Sequence, residues 1–344
     1  MQEHEARNKI ISKRIGRNLF DTPPKISVVI PAYKSAEHIV ETLDSVLAQK
    51  FREHEIIVVN DGSPDTDQFE RAIRTRLEDI VYIRQRNFGA GVARNTAIAH
   101  ARGEIIAFLD ADDIWTPDFL ASQYVFMHRH NYDMVYCDAD LFGMRSAYRK
   151  TFMDTAPSVG EANFDSLLDL RCNVITSGTM ARKSSIINAG KFETERVRAH
   201  DFNLWLRMAK NGAKIGYQRK QLVKYRVHLD SLSGNSISRA ERDIDAFERV
   251  RRDIELTPEQ SKVVDRRIAS FQADLAIEQG KSFLLDGDFR EAALAFRVAN
   301  RYRKSLKLTA ITLLARLAPR YLIKHYRARR SAEIAFVPNR GKGF

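Results

Sequence analysis

The chain is organised around one stretch, Gly103-Glu-Ile-Ile-Ala-Phe-Leu-Asp110-Ala-Asp112-Asp113-Ile-Trp115. Its apolar residues 105–109 indicate a buried strand, and three carboxylates follow that strand within four positions. Like charges held this close repel one another, and Mg²⁺ or Mn²⁺ removes the repulsion because hard cations prefer oxygen ligands. The stretch therefore indicates a metal site at a strand end. The alternative is a solvated acidic turn that precedes a helix starting at Thr116-Pro117-Asp118.

Further strand and helix patterns alternate upstream of this stretch. Apolar, β-branched runs predict strands over 25–30, 55–59 and 80–83, and helical periodicity covers 36–50, 66–77 and 92–101. This alternation with short polar joints predicts a doubly wound α/β sheet. Ligands of such sheets bind outside the carboxyl ends of the strands. The loops that begin at Pro31, Asp61 and Asp110 would therefore converge on one edge of the sheet, the rim formed by the carboxyl ends of its strands.

Glycine-rich phosphate loops are absent from the sequence. Neither GxGxxG nor GxxxxGK[ST] occurs, and the pair Gly89 and Gly91 lacks the strand-to-helix context of such a loop. A bound diphosphate would then depend on a metal at the acidic cluster. A sugar nucleotidyltransferase is disfavoured for the same reason, because that class needs a glycine-rich basic loop after its first strand.

Four blocks stand in order along the first third of the chain. They are Ser27-Val-Val-Ile-Pro-Ala-Tyr33, Ile57-Val-Val-Asn-Asp61-Gly-Ser63, Asn87-x-Gly89-x-Gly91-x-Ala-Arg94-Asn95, and the organising stretch itself. Together they resemble the N-terminal half of glycosyltransferase family 2. The resemblance implies a GT-A fold, with a doubly wound mixed α/β sheet, and a nucleotide-diphosphate-sugar donor.

The resemblance also implies roles for the residues of these blocks. Asp61 would bind the nucleobase, unless it only closes an Asx-type turn before Gly62. Pro31 and Tyr33 would line the nucleoside. Arg94 would lie nearby, unless it pairs with an acid on the helix side. Finally, Asp110 would contact the ribose and the metal shell, and Asp112 would be the main ligand of Mg²⁺ or Mn²⁺.

The acceptor side is expected further along the chain. Strands are predicted over 132–138 and 175–182, and residues 144–172 are irregular and polar, as a mobile acceptor loop would be. The segment His200-Asp201-Phe-Asn-Leu-Trp205-Leu-Arg207 has helical periodicity with Asp201 in its first turn. It resembles the family's Glu-Asp-x-x-Leu-Trp-x-Arg block, whose Asp is the catalytic base, with His200 in place of the Glu. The alternative for Asp201 is a helix cap.

One base without a protein nucleophile implies a single displacement, and hence an inverting enzyme. The segment from Tyr225 to Ser233 resembles the family's Tyr-Arg-x-His-x-x-Ser-x-Ser pattern, which suggests His228 as a metal ligand beside the structural role that a lone His more often has. No Gln-x-x-Arg-Trp motif is present, so a processive synthase is not expected.

The C-terminal part is predicted to be helical. Residues 240–299 lack strand-like runs, and small and aromatic residues from Ala276 to Ala299 have the spacing of one tetratricopeptide-type hairpin, or of an ordinary helical hairpin. We predict four regions: an N-terminal arm over 1–24, frayed or forming a short helix, a GT-A domain over 25–238, a smaller helical region over 239–304, and a basic tail over 305–344.

The net charge of +12 is a property of the tail. Residues 301–344 contain 12 Lys and Arg and a single acid, Glu333. An apolar helical face that includes Leu306, Leu313 and Tyr321 accompanies this charge. These features favour contact of residues 305–330 with an anionic membrane surface, over a helix packed on its own domain. Nucleic acid is not an expected partner, because the tail has few aromatics to stack bases.

The sequence predicts a metal-dependent, non-processive transferase that adds one sugar, from UDP rather than another nucleotide, to a glycan or lipid-linked acceptor in cell-surface or exopolysaccharide synthesis. The main alternative is a catalytically inactive sugar-nucleotide fold that serves as a helical adaptor. Two distant cysteines, the absence of an apolar signal-peptide core in residues 1–21 and the absence of a long apolar run predict a cytoplasmic location, with attachment to the inner face of the membrane as an option.

Overall fold

The structure is a computed structural model that describes residues 10–16, 23–143, 150–194, 200–227 and 236–326. The chain divides into two compact units, the first ending at Arg226 and the second continuing from Val227. The predicted end of the GT-A domain at residue 238 stays a prediction.

A nine-stranded sheet forms the centre of the first unit, as far as the structure describes it. Its strands are β1 (Ile10–Ile15), β2 (Ile26–Ala32), β3 (His54–Asp61), β4 (Val81–Gln85), β5 (Ile105–Phe108), β6 (Ile114–Trp115), β7 (Met134–Phe142), β8 (Thr179–Arg182) and β9 (Ile215–Arg226). Its helices are α1 (Ile39–Leu47), α2 (Thr66–Ala72), α3 (Ala90–His100), α4 (Phe119–Arg129), α5 (Phe152–Thr155), α6 (Phe164–Leu168), α7 (Lys183–Asn188) and α8 (His200–Lys210).

The strand order is β1-β4-β3-β2-β5-β8-β7-β9-β6. The pairs β4–β3, β3–β2, β2–β5 and β7–β9 are parallel, whereas β1, β8 and β6 pair with their neighbours in antiparallel fashion. The prediction of a mixed, doubly wound α/β sheet is confirmed. The central strands are buried on both faces, as parallel strands covered by helices are, and Val28, Val29, Val58 and Val59 are all fully buried.

Glycine is needed at position 103, two residues before β5 begins. A Cβ there would lie 2.7 Å from the backbone nitrogen of Ser27 and 2.8 Å from the carbonyl carbon of Ile26, closer than such atoms can approach. The Gly103 N–H donates to Ser27 Oγ at 2.9 Å, and Ser27 donates to the buried Glu55 at 2.6 Å. This close contact fixes the start of β5 against β2.

Three expectations about the first unit were wrong in part. Residues 10–15, expected in a frayed arm or a short helix, form the edge strand β1, which pairs with β4. Strand β7 continues to Phe142, so Asp138 lies within the strand and not at its end. The segment expected to be irregular contains α5 and α6, whose N-terminal residues Thr151 and Asn163 each form a capping box.

The second unit is helical wherever the structure describes it, as predicted. It contains α9 (Ser236–Asp253), α10 (Pro258–Asp286), α11 (Phe289–Arg303) and α12 (Leu306–Leu317). Helices α10 and α11 form the predicted hairpin. Gly287 ends α10 in the left-handed conformation, and a Cβ on Gly280 would lie 2.7 Å from the Phe296 ring, so the hairpin needs a glycine there.

Helix α12 has apolar residues on two sides. Leu308 and Ala315 are buried, and Ile311 packs with them against the α10–α11 hairpin. The face that the sequence analysis selected is instead exposed: Leu306 is 89%, Leu313 57% and Leu317 75% accessible. The sequence analysis therefore identified the outer face of this helix and missed the inner one, which carries the packing.

Candidate active site

Three polar loops lie side by side at the carboxyl ends of adjacent parallel strands. Pro31 is the second-last residue of β2, Asp61 ends β3, and Asp110 follows β5. Strand β2 lies between the other two strands in the sheet. The register pairs Pro31 with Val59 across β2 and β3. The predicted convergence of these loops therefore follows directly from the strand order.

The acidic loop, residues 110–113, exposes its three carboxylates unequally. Asp110 keeps about a third of its side chain accessible and Asp112 is half-buried, whereas Asp113 is 1% accessible. Asp113 accepts hydrogen bonds from Ser177 Oγ and, at 2.8 Å, from the Arg226 N–H. Burial raises the pKa of Asp113 well above its usual range, and the charges of Asp112 and Asp110 add to the rise. Asp113 is therefore a structural part of the loop, which leaves Asp110 and Asp112 as its candidate ligands.

Arg94 forms an ion pair with Asp110. Its side chain is 5% accessible, it extends from α3, and its guanidinium carbon lies 5.6 Å from the centre of the Phe192 ring. Asp110 belongs to the acidic loop, so this contact is not the alternative pairing of Arg94 with an acid on the helix side. Burial raises the pKa of the Asp110 carboxyl, the Arg94 charge opposes the rise, and the charges of Asp112 and Asp201 add to it.

Asp201 lies in the first turn of α8, as predicted. One carboxylate oxygen accepts from Thr176 Oγ1 at 2.7 Å, and the other accepts from the backbone N–H of Phe202 at 2.9 Å. Ser177, the residue after Thr176, bonds to Asp110 and Asp113, so the structure brings the predicted base close to the acidic loop. Trp205 fixes the helix in this place, because its ring packs edge-on against Phe108, the last residue of β5, at 5.7 Å.

Asp61 is buried and organises the loop that precedes α3. Its carboxylate accepts from Gln85 Nε2 at 2.7 Å, from the Phe88 N–H at 3.0 Å and from the Gly89 N–H at 2.7 Å. The turn that the sequence analysis considered for Asp61 is made by its neighbour Asn60, whose side-chain oxygen accepts from the Ser63 N–H at 3.0 Å. A carboxylate has about four acceptor sites, so one remains for a ligand N–H.

The loop after β2 presents an exposed aromatic ring. Tyr33 is 47% accessible, and the Lys34 ammonium lies 5.8 Å from the centre of its ring. Lys34 adopts a left-handed backbone conformation with a φ of 54°, and its N–H donates to Ser63 Oγ at 2.6 Å. The Pro31–Tyr33 loop is thus tied to the loop that follows Asp61.

His228 lies outside the described residues, so its predicted role as a metal ligand stays a prediction. Arg226, just before it, is described and reaches the acidic loop twice. Its Nε donates to the Asp112 carbonyl at 2.9 Å, its backbone N–H donates to Asp113, and its guanidinium also pairs with Glu41. The end of β9 is therefore fastened to the acidic loop.

The sequence analysis missed three residues that hold the site together: Thr176, Ser177 and Arg226. The first two lie in a short 3₁₀ turn, residues 176–178, where a continuous strand was expected. A possible signal was the presence of two hydroxyl residues and a glycine within an otherwise apolar run, since buried hydroxyls need partners.

In the part of the chain that the structure describes, no three His, Cys, Asp or Glu side chains are arranged as a ready metal site. A metal at this rim would rely on one or two carboxylates and on phosphate oxygens, which is how Mg²⁺ is commonly held. The donor set fits such an ion, because Asp110 and Asp112 are hard oxygen ligands at a partly accessible strand end.

Comparison with known proteins gives consistent matches over this unit. The family model described as Glycosyl transferase family 2 matches residues 27–188, a span that ends before Asp201. A putative teichuronic acid biosynthesis glycosyltransferase TuaG of Bacillus subtilis is 30% identical over 218 residues, which cover 62% of this chain and 82% of that protein. The Escherichia coli UDP-Glc:alpha-D-GlcNAc-diphosphoundecaprenol beta-1,3-glucosyltransferase WfaP is 29% identical over 61% of this chain and 80% of its own length.

Solved structures share the fold. The mannosyltransferase PcManGT of Pyrobaculum calidifontis, in complex with GDP-Man and Mn²⁺, superposes with a TM-score of 0.59 at 22% sequence identity. The similarity covers 91% of this chain and 85% of that one. At this identity the likeness concerns the fold, which is the GT-A type that the sequence analysis expected.

Proposed function

Because the chain belongs to glycosyl transferase family 2, we propose that it is an inverting, non-processive enzyme that moves one sugar from a nucleotide-diphosphate-sugar to an acceptor hydroxyl. One observation carries the proposal: Asp201 lies beside the acidic loop and is linked to it through two adjacent hydroxyl side chains. A base and a diphosphate site are thereby held close together, as transfer from a nucleotide donor requires.

Asp201 is the proposed general base. A carboxylate that takes the proton of the acceptor hydroxyl makes the oxygen a better nucleophile toward the anomeric carbon. The bond from that carbon to the diphosphate oxygen breaks as the new bond forms, so the sugar is transferred with inversion. The Thr176 hydrogen bond, at 2.7 Å, orients the carboxylate of Asp201.

Asp112 and Asp110 are the proposed protein ligands of Mg²⁺ or Mn²⁺, with His228 as a further candidate. Such an ion neutralises the charge that develops on the departing nucleoside diphosphate. Arg94 keeps Asp110 in place, and Arg226 holds the backbone of Asp112. The Mn²⁺ in the complex of the P. calidifontis enzyme supports this assignment by analogy.

The donor site is proposed to extend from the acidic loop toward β2 and β3. Tyr33 and Pro31 would contact the nucleoside, and Asp61 would accept from the base with its remaining acceptor site. UDP is the nucleotide we propose, and the E. coli relative, whose name specifies UDP-Glc, supports it. A lipid-linked or glycan acceptor in cell-surface polysaccharide synthesis is proposed from the names of the same relative and of TuaG.

Transfer can be tested with a panel of UDP-sugars and GDP-mannose and a polyprenyl-diphosphate-linked N-acetylglucosamine acceptor. We expect one UDP-sugar to be transferred in the presence of Mn²⁺ and the product to have the anomeric configuration opposite to that of the donor, as read by proton NMR. A retained configuration would contradict the single displacement. Nucleotide binding without turnover of any donor would instead favour the inactive adaptor.

We further propose that α12 and the residues after it contact an anionic membrane surface on the inner face of the cell membrane. The exposed side chains of Leu306, Leu313 and Leu317 are accompanied by basic residues, and no Asp or Glu occurs between Glu291 and Glu333. A shallow hollow in the same unit is lined by two arginines and two apolar side chains: Phe289, Arg290, Leu294 and Arg316. Each basic residue near an anionic surface adds roughly 1 kcal/mol.

The surface contact predicts a specific response to negative charge introduced on the apolar face. Leu313→Glu combined with Leu317→Glu is expected to abolish co-sedimentation with phosphatidylglycerol-containing vesicles, because it places carboxylates on the apolar face. Val159→Glu, at an equally exposed apolar position of the first unit (63% accessible), is the matched control and should bind as the wild type does. Equal binding by all three proteins would contradict the proposal. Across the described residues, none of the helices combines the length and apolarity of a membrane span.

A further inference from the structure

Two adjacent hydroxyl side chains connect the predicted base with the acidic loop. Thr176 Oγ1 donates to Asp201 Oδ2 at 2.7 Å. The next residue, Ser177, accepts from the backbone N–H of Asp110 at 3.1 Å and donates to the carboxylate of Asp113. One turn therefore contacts both halves of the candidate site, one through each hydroxyl.

The 176–178 turn is held firmly by its surroundings. Ser177 is fully buried, and its carbonyl accepts from Trp115 Nε1 at 2.7 Å. The Gly178 carbonyl accepts from Gln123 Nε2 at 2.9 Å. A Cβ on Gly178 would lie 3.2 Å from Cys137 Sγ, so the turn packs directly on β7 with little room for a side chain. A shift of this turn would break several buried hydrogen bonds at once.

We propose that the 176–178 turn is a positioning element that sets the spacing between the base and the metal-binding loop. Thr176 orients the carboxylate of Asp201, and Ser177 fixes the backbone and the inner carboxylate of the acidic loop. This inference rests on the proposed function, because the proposed function makes Asp201 the base and the acidic loop the metal site. Neither hydroxyl is assigned contact with substrate, so both are positioning residues.

The physical reason lies in the short covalent path between the two hydroxyls. Consecutive Cα atoms are ~3.8 Å apart, so a single rigid peptide unit joins the residue that holds the base to the residue that holds the loop. The acceptor oxygen must approach the anomeric carbon while the metal holds the diphosphate. A misplacement of about 1 Å in such an arrangement can lower the rate roughly 100-fold.

Thr179 provides a matched control within the same segment. Its hydroxyl is also fully buried, but it donates to the Ile175 carbonyl at 2.9 Å and makes no bond to an acid. Thr179→Val therefore removes a buried hydroxyl of the same type and tests the cost of that loss alone. Thr176→Val and Thr176→Ser are the corresponding test and rescue variants.

Thr176→Val is expected to lower kcat roughly 10- to 100-fold, because a displacement of the base by about 1 Å can lower the rate by about this much. The Kd for Mn²⁺–UDP, from isothermal titration, should change less than about threefold, since the acidic loop keeps its contacts. Thr176→Ser should restore kcat, and Thr179→Val should leave it near the wild-type value. Equal losses in Thr176→Val and Thr179→Val, or no rescue by serine, would overturn the assignment.

Ser177→Ala is expected to give the opposite pattern. The Asp110 N–H and the Asp113 carboxylate lose their shared partner, so the Mn²⁺–UDP Kd should rise roughly 10- to 100-fold. A merely structural role would change the binding constant equally in Ser177→Ala and Thr176→Val. That result would contradict the separate roles proposed for Thr176 and Ser177.

A double-mutant cycle on urea unfolding separates this inference from the proposed function, because it needs no activity. Thr176→Val and Asp201→Ala should be non-additive in the unfolding equilibrium constant, whereas Thr179→Val and Asp201→Ala should be additive. If no donor is turned over and the cycle shows coupling, the proposed function fails, and the positioning of Asp201 by the 176–178 turn stands. If transfer occurs and Thr176→Val behaves as the wild type does in both assays, the positioning role fails and the function stands.

Discussion

Replacing Asp201 with asparagine is expected to lower kcat by roughly 10² to 10⁴, the usual contribution of general-base catalysis. Asparagine has nearly the same shape and can still contact Thr176, so α8 should keep its place through Trp205 and Phe108. The variant lacks only the ability to accept the proton of the acceptor hydroxyl. The loss should therefore fall on kcat, measured under saturating donor and acceptor.

Asp138→Asn is the matched control for this variant. Its carboxylate also accepts from backbone N–H groups, those of Ala139 at 2.8 Å and Met153 at 3.0 Å, but it belongs to β7 and not to the acidic loop. Asp138→Asn should retain kcat within a few-fold. If Asp201→Asn turned over donor as fast as this control does, Asp201 would be a helix cap and the base would lie elsewhere.

Replacing Asp112 with alanine is expected to lower kcat/KM by on the order of 10³, because the stabilisation that a metal gives to a departing diphosphate amounts to several kcal/mol. The fold should survive, since Asp112 is half-buried and the Arg226 bond uses its carbonyl, which alanine keeps. The dependence of the rate on Mn²⁺ concentration should also disappear. Initial rates over a Mn²⁺ titration measure both effects.

Asp118→Ala is the matched control for the Asp112 variant. Asp118 is exposed, follows the same loop, and forms an ion pair with Lys50 at 2.8 Å. Exposed pairs of this kind contribute little to stability, and Asp118 lies outside the acidic loop, residues 110–113. The rate and its Mn²⁺ dependence should therefore match those of the wild type. If the rate of the Asp112→Ala variant depended on Mn²⁺ as the wild-type rate does, the acidic loop would not be the metal site.

The fold was largely predictable because its central strands carry continuous apolar runs. The segments that became β2, β3 and β5 are buried at all but two positions, and such runs are detectable without knowledge of the partners. The edge strand β1 was not predictable in this way. Its residues Ile10–Ile15 are mostly exposed and alternate poorly, and only pairing with β4 makes them a strand.

The places of Asp110 and Asp112 after a strand and of Asp201 at a helix start were predictable, because each stands in a motif, and their roles stay predictions. What holds these residues was not predictable, because Thr176 and Arg226 are distant in the sequence from the acids they contact. Likewise, Asp61 proved to be buried against the loop before α3, which only the tertiary arrangement determines. The outer and inner faces of α12 could not be told apart because both are apolar.

The most direct test of the account is isothermal titration of UDP, GDP, CDP and dTDP into the protein, each with and without Mn²⁺. The account predicts that UDP binds only when Mn²⁺ is present, that Asp201→Asn binds it as the wild type does, and that Asp112→Ala does not bind it. Ligand at about 100 times its Kd should also stabilise the protein by about 2.7 kcal/mol, which gives an independent check by thermal unfolding. A folded wild-type protein that binds none of the four nucleotides would contradict the central claim that this rim is a metal-dependent nucleotide-sugar site.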